Sequence, residues 1–281
     1  MHSWQQLGST DSRSLRIAAI GHEVDLTNQS LMMSAALGAM GIDNQIFLLD
    51  VPKHEFEECV RHLQTIGFKG VTVSNPHKVD AARIAERFWI ARFSLGVANA
   101  LMFENGIFAQ NTEVPGIIQC VKELEPTTAL VMGTGHAARS VVAGLLQAGW
   151  KVKMWNRNAN KTKVLYTLLS RHGDLCQAPA PDPSGCRLIV NATPLGLKPG
   201  EQPPLMWARV LPKTVCLDLV FRRVPTEFLR TGAMRGLKGI DGRELMVEQC
   251  ALAMEWWTGQ PVPRGPMKEA VGLKTPNWGS G

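Results

Sequence analysis

The stretch TTALVMGTGHAARSVVAGLLQAGWKVKMWNRN, residues 127–158, constrains the fold more than any other part of the chain. An apolar run at 128–132 meets Gly133-Thr134-Gly135-His136-Ala137-Ala138, a helical pattern continues to Gln147, and a second apolar run fills 151–155. Strand, glycine turn, helix and strand make the unit from which helix-covered parallel sheets are built. Gly133 permits the tight turn, Gly135 lets backbone approach a pyrophosphate, and small Ala138 allows the helix to pack closely on the strand. Free N–H groups and the dipole at the helix start favour phosphate. The loop is therefore a candidate dinucleotide site, with Gly133, Thr134, Gly135, His136 and Ala137 as its contacts.

The next strand selects between cofactors. It ends in Asn156-Arg157-Asn158, with Lys161 one helical turn on. An NAD site usually presents a carboxylate here to the ribose 2′-hydroxyl, whereas an NADP site tends to present Arg to the 2′-phosphate. A guanidinium can fork a phosphate, with Asn158 adding a donor from the loop, so NADP is expected. CRLIVNATPLG at 186–196 and TVCLDLVF at 214–221 read as further strands, and LKGIDG at 237–242 as a short one. Ligands of open α/β sheets bind beyond the carboxyl ends of the strands, which makes Thr193, Leu219 and Gly242 candidate contacts near the nicotinamide.

The first half has a related grammar. LRIAAIG at 15–21, a helix over SLMMSAALGAMGI, NQIFLLDV at 44–51, a helix over 54–66 and GVTVSN at 70–75 give β-α-β-α-β, a mostly parallel sheet. A helix is expected from about Asp80 to Phe93. In LMFENGIFA, Asn105-Gly106 between apolar runs signals a hairpin with a type I′ turn. If Glu104 faces Ile107, Asn99 opposes Thr112 and Glu113 is its diagonal neighbour, so Lys78, Asn99 and Glu113 gather at one mouth.

Glu113-Val114-Pro115-Gly116 then opens a helix leading onward. The expected organisation is a flexible N-terminus at 1–14, a catalytic and substrate-binding domain at 15–113 completed by a C-terminal helix at 244–281, and a cofactor domain at 114–243. ELMVEQCALAMEWWTG is apolar on most of its circumference; Trp256 and Trp257 read as packing, and Gln249 is its odd polar group. The Pro- and Gly-containing tail from Gln260 is expected to be partly disordered.

Composition narrows the partners. The chain has 281 residues, 45% of them hydrophobic, enough for two cores. A net charge of +6 suits an anionic ligand, but Lys and Arg are scattered, so nucleic acid is not expected. Six cysteines show no CxxC pairing, and no metal site is expected. The polar start MHSWQQLGSTDSRS does not read as a signal peptide, and no apolar run reaches membrane-span length. A cytoplasmic monomer or homodimer is the expectation.

Taken in order, the motifs resemble the shikimate dehydrogenase family from about Arg16 to Gly259. The family pattern GxNVTxPxK is similar to Gly70 through Lys78, GAVNT to Gly96 through Ala100, and GxNTDxxG to Ala109 through Gly116. The glycine loop, NRTxxK, NATPxG, DxVY and GxxMLxxQ then resemble Gly133 onward, Asn156 to Lys161, Asn191 to Gly196, Asp218 to Phe221, and Gly242 to Gln249. The resemblance implies two α/β domains, the second a Rossmann-type NADP domain. It also implies reversible NADP-linked oxidation of shikimate to 3-dehydroshikimate, or of a related cyclic hydroxy acid such as quinate.

By the same resemblance, Lys78 and Glu113 take the positions of a catalytic Lys–Asp pair, and Ser74, Asn99 and Gln249 those of groups that bind substrate hydroxyls. Oxidising an alcohol needs a base for the hydroxyl proton while hydride leaves the carbon. The departures lie on the substrate side. Glu113 stands for Asp, Thr27 and Gln29 for two serines that hold the substrate carboxylate, Phe221 for Tyr, and Thr72-Val73-Ser74 for Asn-Val-Thr. Changes there against a nearly intact cofactor set imply a shifted substrate preference with the redox apparatus kept. The competing reading is a non-catalytic sensor of NADP or a metabolite, against which retention of Lys78 weighs.

Overall fold

A strand buried on both faces must be apolar along its whole length, and the first strand shows how the sheet of this chain is covered. The computed structural model describes residues 3–9, 13–90, 95–222 and 224–273. The chain divides into two compact units, Met1–Thr112 with Met246–Gly281, and Glu113–Leu245. Glu113, read as the last residue of the first domain, thus groups with the second unit.

The sheet of the first unit holds β1 (Leu15–Gly21), β2 (Asn44–Asp50), β3 (Gly70–Val73), β4 (Arg87–Phe88), β5 (Ala100–Phe103) and β6 (Ile107–Gln110), in the order β2-β1-β3-β5-β6-β4. β1 runs parallel to β2 and β3, whereas β5 is antiparallel to β3 and β6. The helices α1 (Thr27–Ala39), α2 (Phe56–Thr65) and α3 (Lys78–Ile84) intervene. Ala18 and Ile20 of β1 pack with Phe56, Val60 and Leu63 of α2, while Ile17 and Ala19 pack with Met33 and Leu37 of α1. Alternate residues of one strand therefore enter two different cores.

Four expectations for this unit need correction. The helix expected to run on toward Phe93 stops at Ile84, because Glu86 and Trp89 donate their amides to Ile107 and Ala109 and the segment becomes β4 on the edge of β6. Phe93 itself lies outside the described residues. The hairpin pairs Phe103 with Ile107, one residue out of the expected register, and Glu104, Asn105 and Gly106 form the turn. The N-terminus is not simply flexible. Trp4 is buried and donates its indole N–H to Glu55 over 3.0 Å, and the Arg16 guanidinium holds the carbonyl of Gly8.

In the second unit, α4 (Glu113–Val121) precedes β7 (Thr128–Met132), α5 (His136–Gln147), β8 (Lys151–Trp155), α6 (Ala159–Leu169) and β9 (Leu175–Gln177). β10 (Leu188–Asn191), β11 (Val215–Asp218), α7 (Glu227–Met234) and β12 (Lys238–Ile240) follow. All strand pairs are parallel, in the order β12-β11-β10-β7-β8-β9. This is the doubly wound order of a Rossmann-type sheet, with the reversal between β7 and β10.

The chain crosses back to the first unit within α8 (Gly242–Thr258). The single helix expected over 244–281 is two helices, because Gly259 turns at φ 68° and Pro261 and Pro263 interrupt the hydrogen-bond ladder before α9 (Arg264–Ala270). Residues 260–273 are not a loose tail. Met267 of α9 is fully buried, and Arg264 pairs with Glu248 at 3.2 Å and also with Glu255. Residues 274–281 lie outside the described chain. Trp257 is packed, as its sequence context suggests, and donates to the carbonyl of Leu101 over 3.0 Å.

Candidate active site and cofactor loop

Backbone pairing brings distant polar residues of the first unit to one place. The carbonyl of Lys78, the first residue of α3, accepts the amide of Ala98 at 2.9 Å, and the carbonyl of Asn99 accepts the amide of Val73 at 2.8 Å. These two bonds put Lys78 and Asn99 beside the end of β3. Asn99 then grips Thr112: its Oδ1 accepts the Thr112 amide at 2.7 Å, and its Nδ2 donates to the Thr112 hydroxyl at 2.9 Å. The side-chain pairing expected between these residues forms even though the ladder register places Asn99 one step away.

Gln29, in the first turn of α1, reaches the same place. Its Oε1 accepts the hydroxyl of Thr72 at 2.8 Å, and its Nε2 donates to Ser74 Oγ at 3.1 Å. Three of the residues that depart from the family pattern thus touch one another. Gln249 projects from α8, whose Met246, Cys250 and Ala253 add an apolar wall. Together with Lys78, Asn99, Thr112 and Val73 these groups line a pocket with about 350 Å³ of empty space, partly open to solvent.

Lys78 is the only charged side chain lining this pocket; its other polar groups are hydroxyls and amides. Burial pushes the Cys250 thiol up to about 12, so it stays protonated and is no nucleophile. Of the candidate substrate contacts in this unit, Gln29, Ser74, Asn99 and Gln249 meet here with Lys78, whereas Thr27 does not. Thr27 is exposed at the start of α1, where its amide donates to Asp25, so its side chain points away from the pocket lining. Thr72 and Met246 line the pocket without having been singled out as ligand contacts. Thr72 is two residues from Ser74 on β3, and Met246 is three before Gln249 on α8, so strand and helix periods would have found them.

The remaining candidates belong to the second unit. Glu113 heads α4, is 7% exposed, and accepts a hydrogen bond from the Ser140 hydroxyl of α5 at 2.6 Å. Ser140 was not foreseen; the sequence signal would have been a hydroxyl on the buried face of the helix that follows the glycine loop. Phe221 lies beyond the end of β11 and is half-buried.

The glycine loop fits a dinucleotide phosphate. Gly133 has φ +119°, and a Cβ there would lie 2.4 Å from the carbonyl oxygen of Ala192, so no other residue fits without displacement. Gly135 precedes α5 and has open space where a Cβ would be. The first turn of α5 carries no side-chain cap and no acidic residue, leaving amides of exposed His136 and Ala137 available to an anion.

The loop after β8 is partly occupied by its own bonds. Asn156 donates to Thr134 Oγ1 at 2.9 Å and accepts the Asn158 amide at 2.8 Å, tying it to the glycine loop. Asn158 caps α6 by accepting the amides of Asn160 and Lys161, which leaves its NH₂ as the group free of the cap. Arg157 and Lys161 are exposed, and Arg157 lines a cleft beside Asn156, Thr162 and Gln177. Thr193, Leu219 and Gly242 all lie beyond the carboxyl ends of β10, β11 and β12. Among the described residues, no cluster of His, Cys, Asp or Glu is placed to hold a metal ion, and no helix is long and apolar enough to cross a membrane.

Fold and site define a two-unit α/β protein with a Rossmann-type second unit and a polar pocket built around one lysine in the first. Comparison with known proteins narrows this class. The family model described as the shikimate dehydrogenase substrate binding domain matches residues 19–101. The chain is 33% identical over 265 residues to a shikimate dehydrogenase (NADP(+)) of Thermus thermophilus, covering 92% of this chain and 97% of that one. It is 30% identical over 275 residues to the enzyme of the same name from Microcystis aeruginosa, with 91% and 95% covered. A crystal structure of the Thermus thermophilus enzyme in complex with NADP(H) and shikimate superimposes with a TM-score of 0.83 at 30% identity, covering 92% of this chain and 98% of that one. The chain belongs to the shikimate dehydrogenase family.

Proposed function

We propose that this chain is an NADP-dependent oxidoreductase that reversibly oxidises shikimate to 3-dehydroshikimate or the matching alcohol of a close relative such as quinate. The observation that carries the reading is the pocket itself, where Lys78 stands among the hydroxyls and amides of Gln29, Ser74, Asn99, Thr112 and Gln249. Such a lining suits a small ring bearing several hydroxyls, and the single cation suits an acid. The relatives named above act on shikimate with NADP by their names, and this chain keeps the glycine loop and Arg157 that such a cofactor requires.

NADP supplies the hydride acceptor. Lys78, as the neutral amine, takes the proton of the substrate hydroxyl as the carbon loses hydride; in reduction its ammonium returns that proton. Glu113, held by Ser140, serves as the carboxylate partner that orients the pair. Gln29, Ser74, Asn99 and Gln249 bind the ring substituents, and Phe221 offers an apolar contact. Amides of the glycine loop and of His136 and Ala137 hold the pyrophosphate, and Arg157 with Lys161 holds the 2′-phosphate. A cytoplasmic setting belongs to the same proposal.

Purified protein assayed with NADP⁺ and shikimate should yield NADPH, and Lys78→Ala should lower kcat by roughly 10²–10⁴ while still binding NADPH. Absence of turnover with shikimate and quinate in a protein that binds NADPH would exclude these substrates. Full activity in Lys78→Ala would remove Lys78 from the mechanism.

A further inference from the structure

β10 and β11 end side by side, with Asn191 in register with Asp218 and neither residue exposed. Asn191 uses its whole amide. Its Nδ2 donates to Asp218 Oδ1 and to the carbonyl of Leu195, both at 2.9 Å, and its Oδ1 accepts the amide and the hydroxyl of Thr193 at 3.1 and 2.7 Å. Its backbone carbonyl accepts the amide of Leu219 at 3.0 Å. Asp218 also accepts the amide of Val220 at 3.0 Å and the hydroxyl of Thr226, the residue that caps α7.

A buried polar pair of this kind is a poor source of stability, because desolvation offsets much of what its bonds return. Its effect is geometric. The pair fixes two loops on which other cofactor residues rest: the Gly133 backbone lies against Ala192, and a Cβ at Gly242 would come within 2.8 Å of the Val220 carbonyl and 3.0 Å of that of Asp218. Gly133, Thr193, Leu219 and Gly242 therefore all depend on the segments that Asn191 and Asp218 hold.

We propose that Asn191 and Asp218 form a clamp that positions the loops receiving NADP, so that both are positioning residues for the reaction although neither needs to touch the cofactor. This rests on the NADP reading given above. Only Asn at 191 supplies the two donors and the acceptor the clamp uses, whereas Asn at 218 could still accept from Asn191 and Val220 and turn its amide toward Thr226. The two positions therefore differ in what they tolerate.

Fluorescence titration with NADPH and amide hydrogen exchange of the unliganded protein test this together. Asn191→Ala should weaken NADPH binding about tenfold or more and speed exchange at Thr193, while Asp218→Asn stays within about threefold of the parent. Asn191→Asp places two carboxylates face to face; Asp241 and the Cys216 thiol are the other titratable groups facing Asp218. Its NADPH affinity should be poor near pH 7.5 and recover near pH 5.5, as the pair comes to share a proton. This variant decides the matter if Asn191→Ala shows no cooperative melt. Parental affinity in both Asn191 variants, with unchanged exchange at Thr193, would overturn the clamp. If the parent itself does not bind NADPH, the NADP reading fails, and exchange at Thr193 and Val220 alone decides whether the clamp exists.

Discussion

Ser140 donates its hydroxyl to Glu113 Oε2 over 2.6 Å, so the helix that begins at the glycine loop also holds the carboxylate at the head of α4. A bond to a charged group is worth roughly 1.5–3 kcal/mol, and its loss leaves the carboxylate both less stable and less well oriented. Ser140→Ala should lower stability toward urea by about 1–3 kcal/mol and cut kcat roughly tenfold, with the KM for NADP unchanged. An unchanged kcat would show that Glu113 needs no such support.

Gln29 is held at both ends of its amide, by Thr72 and by Ser74. Replacing it by Ala removes both bonds and leaves the Ser74 hydroxyl to turn. Gln29→Ala should raise the KM for the acid substrate by about tenfold and leave the NADP KM in place, a split that steady-state kinetics reads directly. Equal rises in both KM values would place the effect outside the pocket.

A methyl group at Gly133 meets the Ala192 carbonyl at 2.4 Å and a backbone with φ +119°. Both push against the turn. Gly133→Ala should lose more than about 1 kcal/mol in urea unfolding and most of its NADPH affinity. Parental binding by this variant would mean the loop is not the phosphate site.

Burial raises the Asp218 carboxyl from 3.8 to about 6, although hydrogen bonds from Thr226, Val220 and Asn191 pull the other way. The folded chain therefore holds this proton to higher pH than the unfolded chain does. Its contribution to stability is greatest below about pH 4 and is lost as pH rises through about 6. Asp218→Asn removes the titration, so the urea midpoint of the variant should gain on the parent between about pH 4.5 and pH 7. A constant difference across that range would show that Asp218 ionises alike in both states.

Much of the second unit was legible because its signals are local. Gly133 is required by a contact one strand away, but the strand-glycine-helix pattern announces it within a dozen residues, and parallel strands in this order bring the same loop ends together. Lys78, Asn99, Ser74 and Gln249 were legible as site candidates for the same reason, each lying in a short motif at the end of an element. Thr27 misled because its neighbour Gln29 and it sit on different faces of the first helical turn; only one can look into the pocket.

The hairpin register, the early end of α3 and the docking of Trp4 were not legible, since each depends on partners far along the chain. A register shift of one residue changes nothing in the local pattern of Glu104-Asn105-Gly106, and the edge of β6 that recruits Arg87 and Phe88 exists only once the sheet has formed.

By itself the sequence determined the two sheets, the glycine loop and the presence of one lysine among hydroxyls and amides, because periodicity and turn chemistry act over a few residues. The tertiary structure alone decided that Gln29 bonds Thr72 and Ser74, that Ser140 holds Glu113, and that Asn191 meets Asp218. Each of those contacts joins residues 27 to 45 positions apart. Hydrogen bonds require partners placed within a few tenths of an ångström, and only the packed sheet and helices supply that precision.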